Sequence, residues 1–558
     1  MNPVDTDRTS SRRELIGTAR DRAAATTRHH IEGRAMAMRR PGGPRGGPKA
    51  VPAPPSAAIV ALNRLGWGPR EGDIASFNAL GGGDLQRLTA WIDQQLSPAT
   101  INDSVCDAKI AAAGYTTLNK TLAQLWQDHV VSNPPWNVRI QPYYEVERAT
   151  LLRAVWSKRQ LLEVLTDFWH NHFNVYAIDS WISPVWSHWD RVVIRGNALG
   201  NFRTMLGAVA EHPAMLYYLD NYTSSSAGPN ENWARELFEL HGLGADHYLG
   251  VLRQNQVPIG PGGKPIGYVD DDVFESTRCF TGWTFDFDTG LFEYRSDWHD
   301  HFQKFVLGVY IPANQPALND GNVVLDEIAN HPGTAHHIAT KLARRLAGDD
   351  PDPTMVDAAA AVFEAEVAAP DQLAQVVRTI VLHPSFLTTW GDKIKRPLEI
   401  VTSAMRAADG RFTFALDDSQ TSDLLWRYDQ TGQPLFAWRA PNGFPDHKAD
   451  WQSATPRVMS WRLVNWLIDV RDASDVYLLN VLDQTPVGVR TANQLADFWI
   501  DRIFGRAIPT AERAEVVEFM AQGHNPDFVL PLDTDPGTRD RLRSMVGLIF
   551  MSPSFLWR

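Results

Sequence analysis

Leu161-Leu162-Glu163-Val164-Leu165-Thr166-Asp167-Phe168-Trp169-His170-Asn171-His172-Phe173-Asn174-Val175 is the stretch on which the fold turns. At the helical angle of about 100° per residue, Glu163, Asp167, His170 and Asn174 fall within about 60° of one another. The rest of the circumference is apolar: Leu161, Leu162, Val164, Leu165, Phe168, Trp169, Phe173 and Val175, with His172 pointing to that side. A helix apolar over most of its surface is buried in a larger core. Its polar stripe must therefore face solvent or an internal polar site. Outward from it, the same periodicity recurs over 85–96, 118–131, 148–175, 197–219, 230–241, 333–347, 353–367, 372–382, 397–408, 456–474, 492–503, 510–521 and 538–551. Alternating runs are few, the best being Phe285–Leu307 with Phe285, Phe287, Phe292 and Tyr294. The prediction is a mainly α fold, a large multi-helix single domain of catalytic type over 57–558 with a small β insertion near 284–307. A C-terminal helical subdomain from about residue 397 is left open. Val257–Gly267, rich in proline and glycine, reads as a surface loop.

Composition excludes several classes. Of 558 residues, 44% are hydrophobic and 21% charged, the balance of a globular chain. Cys106 and Cys279 are too few for a disulfide framework or a thiolate zinc site. No run approaches the length and apolarity of a membrane-spanning helix. Charge is uneven: residues 1–56 hold eleven Lys/Arg against five Asp/Glu, while the remainder holds 42 against 60. That acidic body is a poor match for nucleic acid, whose binding rests on cations. The basic head, with Arg39-Arg40-Pro41-Gly42-Gly43-Pro44, reads as a disordered segment. Its Ser11-Arg12-Arg13-Glu14-Leu15-Ile16-Gly17 is like a twin-arginine export signature, but charges at Arg20, Asp21 and Arg22 interrupt the apolar stretch an export signal needs. That interruption tilts the expectation toward the cytoplasm.

A second polar constellation lies in Pro229-Asn230-Glu231-Asn232-Trp233-Ala234-Arg235-Glu236-Leu237-Phe238-Glu239-Leu240-His241-Gly242. Asn230 suits an N-cap, Glu231 the positive first turn, and Gly242 the helix end. Trp233, Leu237 and Leu240 form a core stripe flanked by Glu236, Asn232 and Glu239, with His241 on the opposite flank. Asp220, just upstream, could be delivered to the same place. Twenty tryptophans are a high number for one chain, and many, including Trp169, Trp233 and Trp461, sit at core spacing. Phosphate-binding glycine loops, dinucleotide fingerprints, H-E-x-x-H and G-x-S-x-G are all absent. Cys279 reads as a buried helix end.

Asp167-Phe168-Trp169-His170-Asn171-His172-Phe173-Asn174-Val175 and Asn230–Gly244 then recur as markers of a family, followed by Thr281-Gly282-Trp283-Thr284 and His331-Pro332-Gly333-Thr334-Ala335 with Lys341-Leu342. Lys395-Arg396-Pro397-Leu398-Glu399 and Pro441-Asn442-Gly443-Phe444-Pro445-Asp446 complete the order. From about Ile59 to the C-terminus the chain resembles the bacterial domain-of-unknown-function 1800 family. The resemblance implies a largely helical protein, often exported and often encoded beside a second family similar to alkaline phosphatases and sulfatases. Its motif positions fall on Asp167, His172 and Asn174, and on Asn230, Glu231, Arg235, Glu236, Glu239 and His241. Two departures stand out: Val251–Gly267 lengthens a usually short link, and His299-Asp300-His301-Phe302-Gln303-Lys304 replaces a glycine-containing turn.

Three functions follow as expectations. The first is an enzyme with a carboxylate/histidine centre built from the two helices. There Glu236, Glu239, Arg235, Asp167 and Glu231 would act in catalysis, and His170, His172, His241 and Glu236 could ligate a divalent metal. Asp220, Asn230, Asn174 and Trp283 would bind a small-molecule or glycan substrate. The second is a metal-free glycan hydrolase using paired carboxyls, with tryptophan as sugar platforms. The third is a helical scaffold whose polar motifs are buried networks fixing register.

Overall fold

The computed structural model describes residues 55–558; the basic head and its Arg12-Arg13 pair fall outside them. Helices dominate, with two small antiparallel hairpins, as periodicity predicted. Their starts are set by side chains in the sequence. His331 accepts from the Gly333 N–H at 2.9 Å with Pro332 in the first turn of the Pro332–Leu346 helix. Thr491 and Gln494 form a capping box at the Ala492–Phe504 helix. Among the described residues, no helix is long and apolar enough to cross a membrane.

The Gln160–His172 helix is central, with Leu161, Val164, Leu165 and Trp169 fully buried. It packs on the Gln141–Trp156 helix, which in turn packs on Pro397–Ala407. Periodicity suggested one helix through 148–175, but the chain breaks at Ser157. Asp103 receives the Ser157 hydroxyl at 2.6 Å and the Lys158 N–H at 2.8 Å. On the other side, Pro332–Leu346 packs against Pro353–Ala365 and that against Gln372–Val381. Toward the C-terminus, Ala454–Asp469 packs on Pro536–Met551, and Ala492–Phe504 on Thr510–Ala521.

The expected β insertion is a pair of hairpins. Trp283–Phe285 pairs with Phe292–Tyr294, and Lys304–Val306 with Val309–Ile311. The second turns through Leu307-Gly308, both at positive φ (49° and 82°), as a tight two-residue hairpin loop requires. Cys279 is the buried end of the Asp270–Cys279 helix. Half of the twenty tryptophans are core, including Trp126, Trp169, Trp186, Trp189 and Trp499, whereas Trp461 is 40% exposed despite its spacing.

Candidate functional site

The polar stripe of the Gln160–His172 helix divides between two ion-pair networks, one shared by Glu163 and His170 and the other entered by Asp167. Glu163 receives both Nη groups of Arg195 at 2.8 and 3.0 Å. His170 Nε2 lies 3.0 Å from Asp190, which Arg195 and Arg153 also approach. Burial opposes the Asp190 charge, yet Arg195 and His170 outweigh it and hold that carboxyl far below the usual range. Asp167 receives Arg396 at 2.7 Å and Arg345 at 3.3 Å. Those arginines belong to a larger buried network. Glu399 accepts from Arg345 at 2.6 Å, from the Arg396 N–H at 2.7 Å, and from Arg558. Burial works against the Glu399 charge, but Arg558, Arg345 and Arg396 hold its pKa well below the ordinary value.

The helix ends at His172, so Asn174 lies beyond it and serves the next segment. Its amide donates to the Trp438 and Ala440 carbonyls at 3.0 and 2.7 Å. Asn171 does likewise for Phe444, giving to its carbonyl at 2.8 Å and receiving its N–H at 2.6 Å. Gly443 between them has φ +71°, and a Cβ there would lie 2.2 Å from the Asn171 carbonyl oxygen. The loop can press this close only because that residue is glycine.

The second constellation is α-helical over Asn232–Glu236 and widens into a π turn over Leu237–His241. Such turns interrupt helices frequently at functional sites. Asn230 accepts the Asn232 N–H at 3.0 Å. Arg235 reaches Glu231 at 3.4 Å and Asp270 at 3.8 Å, and the Tyr248 hydroxyl donates to Asp270 at 2.8 Å. Glu236 is different. It is partly buried and, among the described residues, its carboxyl has no hydrogen-bond partner. Burial, reinforced by Glu239 and only partly offset by Arg235, pushes its pKa up to about 7. The Tyr268 hydroxyl beside it is raised by burial and then by Glu239.

The two helices do meet, through imidazoles. His172 Nε2 lies 3.2 Å from the His241 carbonyl oxygen, and the two rings are 5.9 Å apart. His337 joins them, 6.3 Å from His172, with Nε2 3.3 Å from the Leu240 carbonyl. Burial, with Lys341 nearby, lowers His241 and His337 to about 3 and His172 well below its ordinary value, so all three are neutral. Both ring nitrogens of His241 lack partners among the described residues. His170, by contrast, faces Asp190. Among the described residues, no group of three or more His, Cys, Asp or Glu side chains is arranged to hold a metal ion. The set His170, His172, His241 and Glu236 therefore does not fit one.

The residues expected to bind substrate are dispersed. Trp283 is 1% exposed and packs edge-on against Phe280 and Phe292. Asp220 has a left-handed backbone (φ 59°) ahead of the Asn221–Thr223 turn. Arg345, Arg396 and Arg558, which dominate the charge around Asp167, were not among the expected site residues. The Arg396-Pro397-Leu398-Glu399 spacing was the available signal, since Glu399 caps the helix that Arg396 introduces.

A family model described as "Protein of unknown function (DUF1800)" matches residues 60–557. The chain belongs to the DUF1800 family. No curated protein and no solved structure matches it. In this DUF1800 chain the motif segments 167–175, 230–244, 331–342, 395–399 and 441–446 are far apart in sequence. They nevertheless converge around the end of the Gln160–His172 helix, through Asp167–Arg396, His172–His241, His337–Leu240 and Asn171–Phe444.

Proposed function

We propose that this DUF1800 chain is an enzyme in which Glu236 and Glu239 form an acid–base carboxyl pair acting on a polar small molecule or glycan. The observation that carries the reading is the Glu236 carboxyl itself: desolvated, without a hydrogen-bond partner among the described residues, and poised near neutrality beside a second carboxyl. A group with a pKa near the working pH is the efficient proton donor and acceptor, and like-charged neighbours that push titrations apart divide acid from base. Glu236, protonated below about pH 7, would give its proton to a leaving group, and Glu239 would take one from water. Arg235 sits between Glu231 and Asp270 and would orient an oxygen-rich substrate. Tyr248, 41% exposed and tied to Asp270, supplies a ring for stacking. A divalent ion has no part in this scheme.

The test is a pH–rate profile on a panel of glycans and chromogenic glycosides. Activity should fall as pH rises through about 7 and vanish in Glu236→Gln. A Glu236→Gln variant that retains the wild-type rate and profile would sink the assignment. The scaffold reading is favoured at one place only, the first helix, where Asp167, His170 and Asn174 are all engaged by structural partners.

A further inference from the structure

On the far side of the imidazole cluster lies a cavity of about 170 Å3 that the acid–base scheme does not use. It sits between the Gln160–His172 helix, the Pro332–Leu346 helix and the loop at 441–447. We propose that this cavity is a binding site for a small oxyanion, a phosphate, sulfate or carboxylate group carrying a compact organic part, held by Lys341 and Arg344. The proposal stands independently of Glu236.

Charge bookkeeping points to an anion. Arg345, Arg396, Arg558 and Lys393 are matched by Asp167, Glu399, Asp446 and Asp349 in direct ion pairs. Lys341 and Arg344 line the same cavity and, among the described residues, neither is paired with a carboxylate. Lys341 Nζ has no hydrogen-bond acceptor there, and Arg344 spends only Nε, on the Asp349 carbonyl at 3.2 Å. One turn apart on one helix, their cationic ends are neighbours. Arg345 and Arg396, 2% and 5% exposed at the side chain, stand behind them in the lining. His172, neutral and buried, adds an Nδ1 without a partner among the described residues.

The cations face one lone acid. Asp446 lies 3.6 Å from Lys393 and 4.0 Å from both Arg345 and Arg396, so it is already shared among three positive groups. Burial opposes its charge, but Lys393, Arg345 and Arg396 outweigh it and keep it ionised. Lys341 shows the resulting imbalance. Burial, only partly offset by Asp446 and reinforced by Arg344, brings its ammonium down to about 8. The other titratable groups lining the cavity are His172, which is neutral, and His447. An entering oxyanion would supply the missing counter-charge through charge-assisted hydrogen bonds.

The remaining walls set the size and kind of ligand. Phe168 and Phe444 close one side, so the organic part meets aromatic surface. A cavity of about 150 Å3 holds a benzene-sized molecule, so this one takes a single small anion and no polymer strand. The wall is pre-set, since Asn171 clamps Phe444 by both backbone groups.

The experiment is isothermal titration calorimetry of the full chain with inorganic phosphate, sulfate, phenyl phosphate and benzoate. It is repeated on Lys341→Met, Arg344→Gln and Glu236→Gln, each checked by circular dichroism. At least one probe should bind saturably to the wild type. Its affinity should fall about tenfold or more in Lys341→Met and in Arg344→Gln, as expected for one lost charge-assisted contact each. Lys341→Arg, which keeps the charge, should recover most of the affinity, and Glu236→Gln should leave it unchanged. Which probes bind separates phosphate and sulfate sources from carboxylate ones, and a preference for the aryl compounds reports the aromatic wall. No saturable binding of any probe, or full affinity retained in both Lys341→Met and Arg344→Gln, overturns the proposal. Failure here leaves the Glu236 reading intact, because that reading is judged by the pH–rate profile alone.

Discussion

The Gln160–His172 helix and the Asn232–His241 segment carry similar polar residues, yet the fold treats them in opposite ways. On the first, Glu163, Asp167 and His170 each find a charged partner. On the second, Glu236 is desolvated with no counterpart among the described residues, and Glu239 adds repulsion. Acidic residues on a helix become structure or a reactive site according to what the rest of the chain brings to them. A fully satisfied network fixes packing, while an unsatisfied, perturbed carboxyl is a candidate for chemistry.

The sharpest way to break this comparison is to unbalance the satisfied side. Glu399→Gln leaves Arg345, Arg396 and Arg558 sharing one carboxylate fewer in a buried setting. Breaking a buried pair by removing one partner costs about 3–5 kcal/mol, to be read as a lower midpoint in urea unfolding. A loss under about 1 kcal/mol, the value of an exposed pair, would show that water reaches the network.

Next is the splint between helix and loop. Asn171→Ala removes both side-chain contacts to Phe444 and strands partly buried backbone groups, a cost of about 1 kcal/mol. It should also raise hydrogen-exchange rates at residues 441–446. Unchanged exchange there would mean that Asn174 and Gly443 suffice to seat the loop.

Much of the architecture was readable in advance because it depends on local order. His331-Pro332 starts a helix through contacts within a few residues, whereas Gly242 ends one without a capping hydrogen bond of its own. The hairpins overlap the alternating stretch around 284–307, although the first begins at Trp283 and the strand Val309–Ile311 lies wholly beyond it. What local pattern could not show is long-range pairing. The cations on Asp167 come from 178 and 229 residues further along the chain, so its stripe looked like one site when its charges are divided between two networks. The break at Ser157 is set by Asp103, 54 residues upstream, and strips Arg148–Val175 of its continuity. The π turn at Leu237–His241 is equally invisible to a 3.6-residue period. On the second helix the Glu231–Arg235 pair was legible, because its i,i+4 spacing alone brings it together.

The unsatisfied side predicts a gain on substitution. The folded pKa of Glu236 is raised from 4.5 to about 7, so its favourable contribution is fully present below about 4.5 and is lost as pH rises through 7. Glu236→Gln removes a charge that folding disfavours. The variant should be more stable than wild type above pH 7, by about 1–2 kcal/mol once partial exposure is discounted. The two proteins should converge near pH 4, where both side chains are neutral. Equal unfolding midpoints at every pH would mean that Glu236 is solvated.

The smallest effect separates the two causes of that shift. Burial ranks above Glu239 in raising Glu236, and Arg235 opposes both. Glu239→Gln deletes the repulsion and leaves the desolvation, so the Glu236 titration followed by carboxyl carbon NMR should move down yet stay above 4.5. A return to the ordinary value would assign the whole shift to the like-charged neighbour, and the pair would then be an exposed acidic face with no desolvated acid in it. A partial fall keeps the contrast with Asp167: one carboxyl is neutralised by arginines brought from afar, and the other is only partly offset by Arg235 on its own helix.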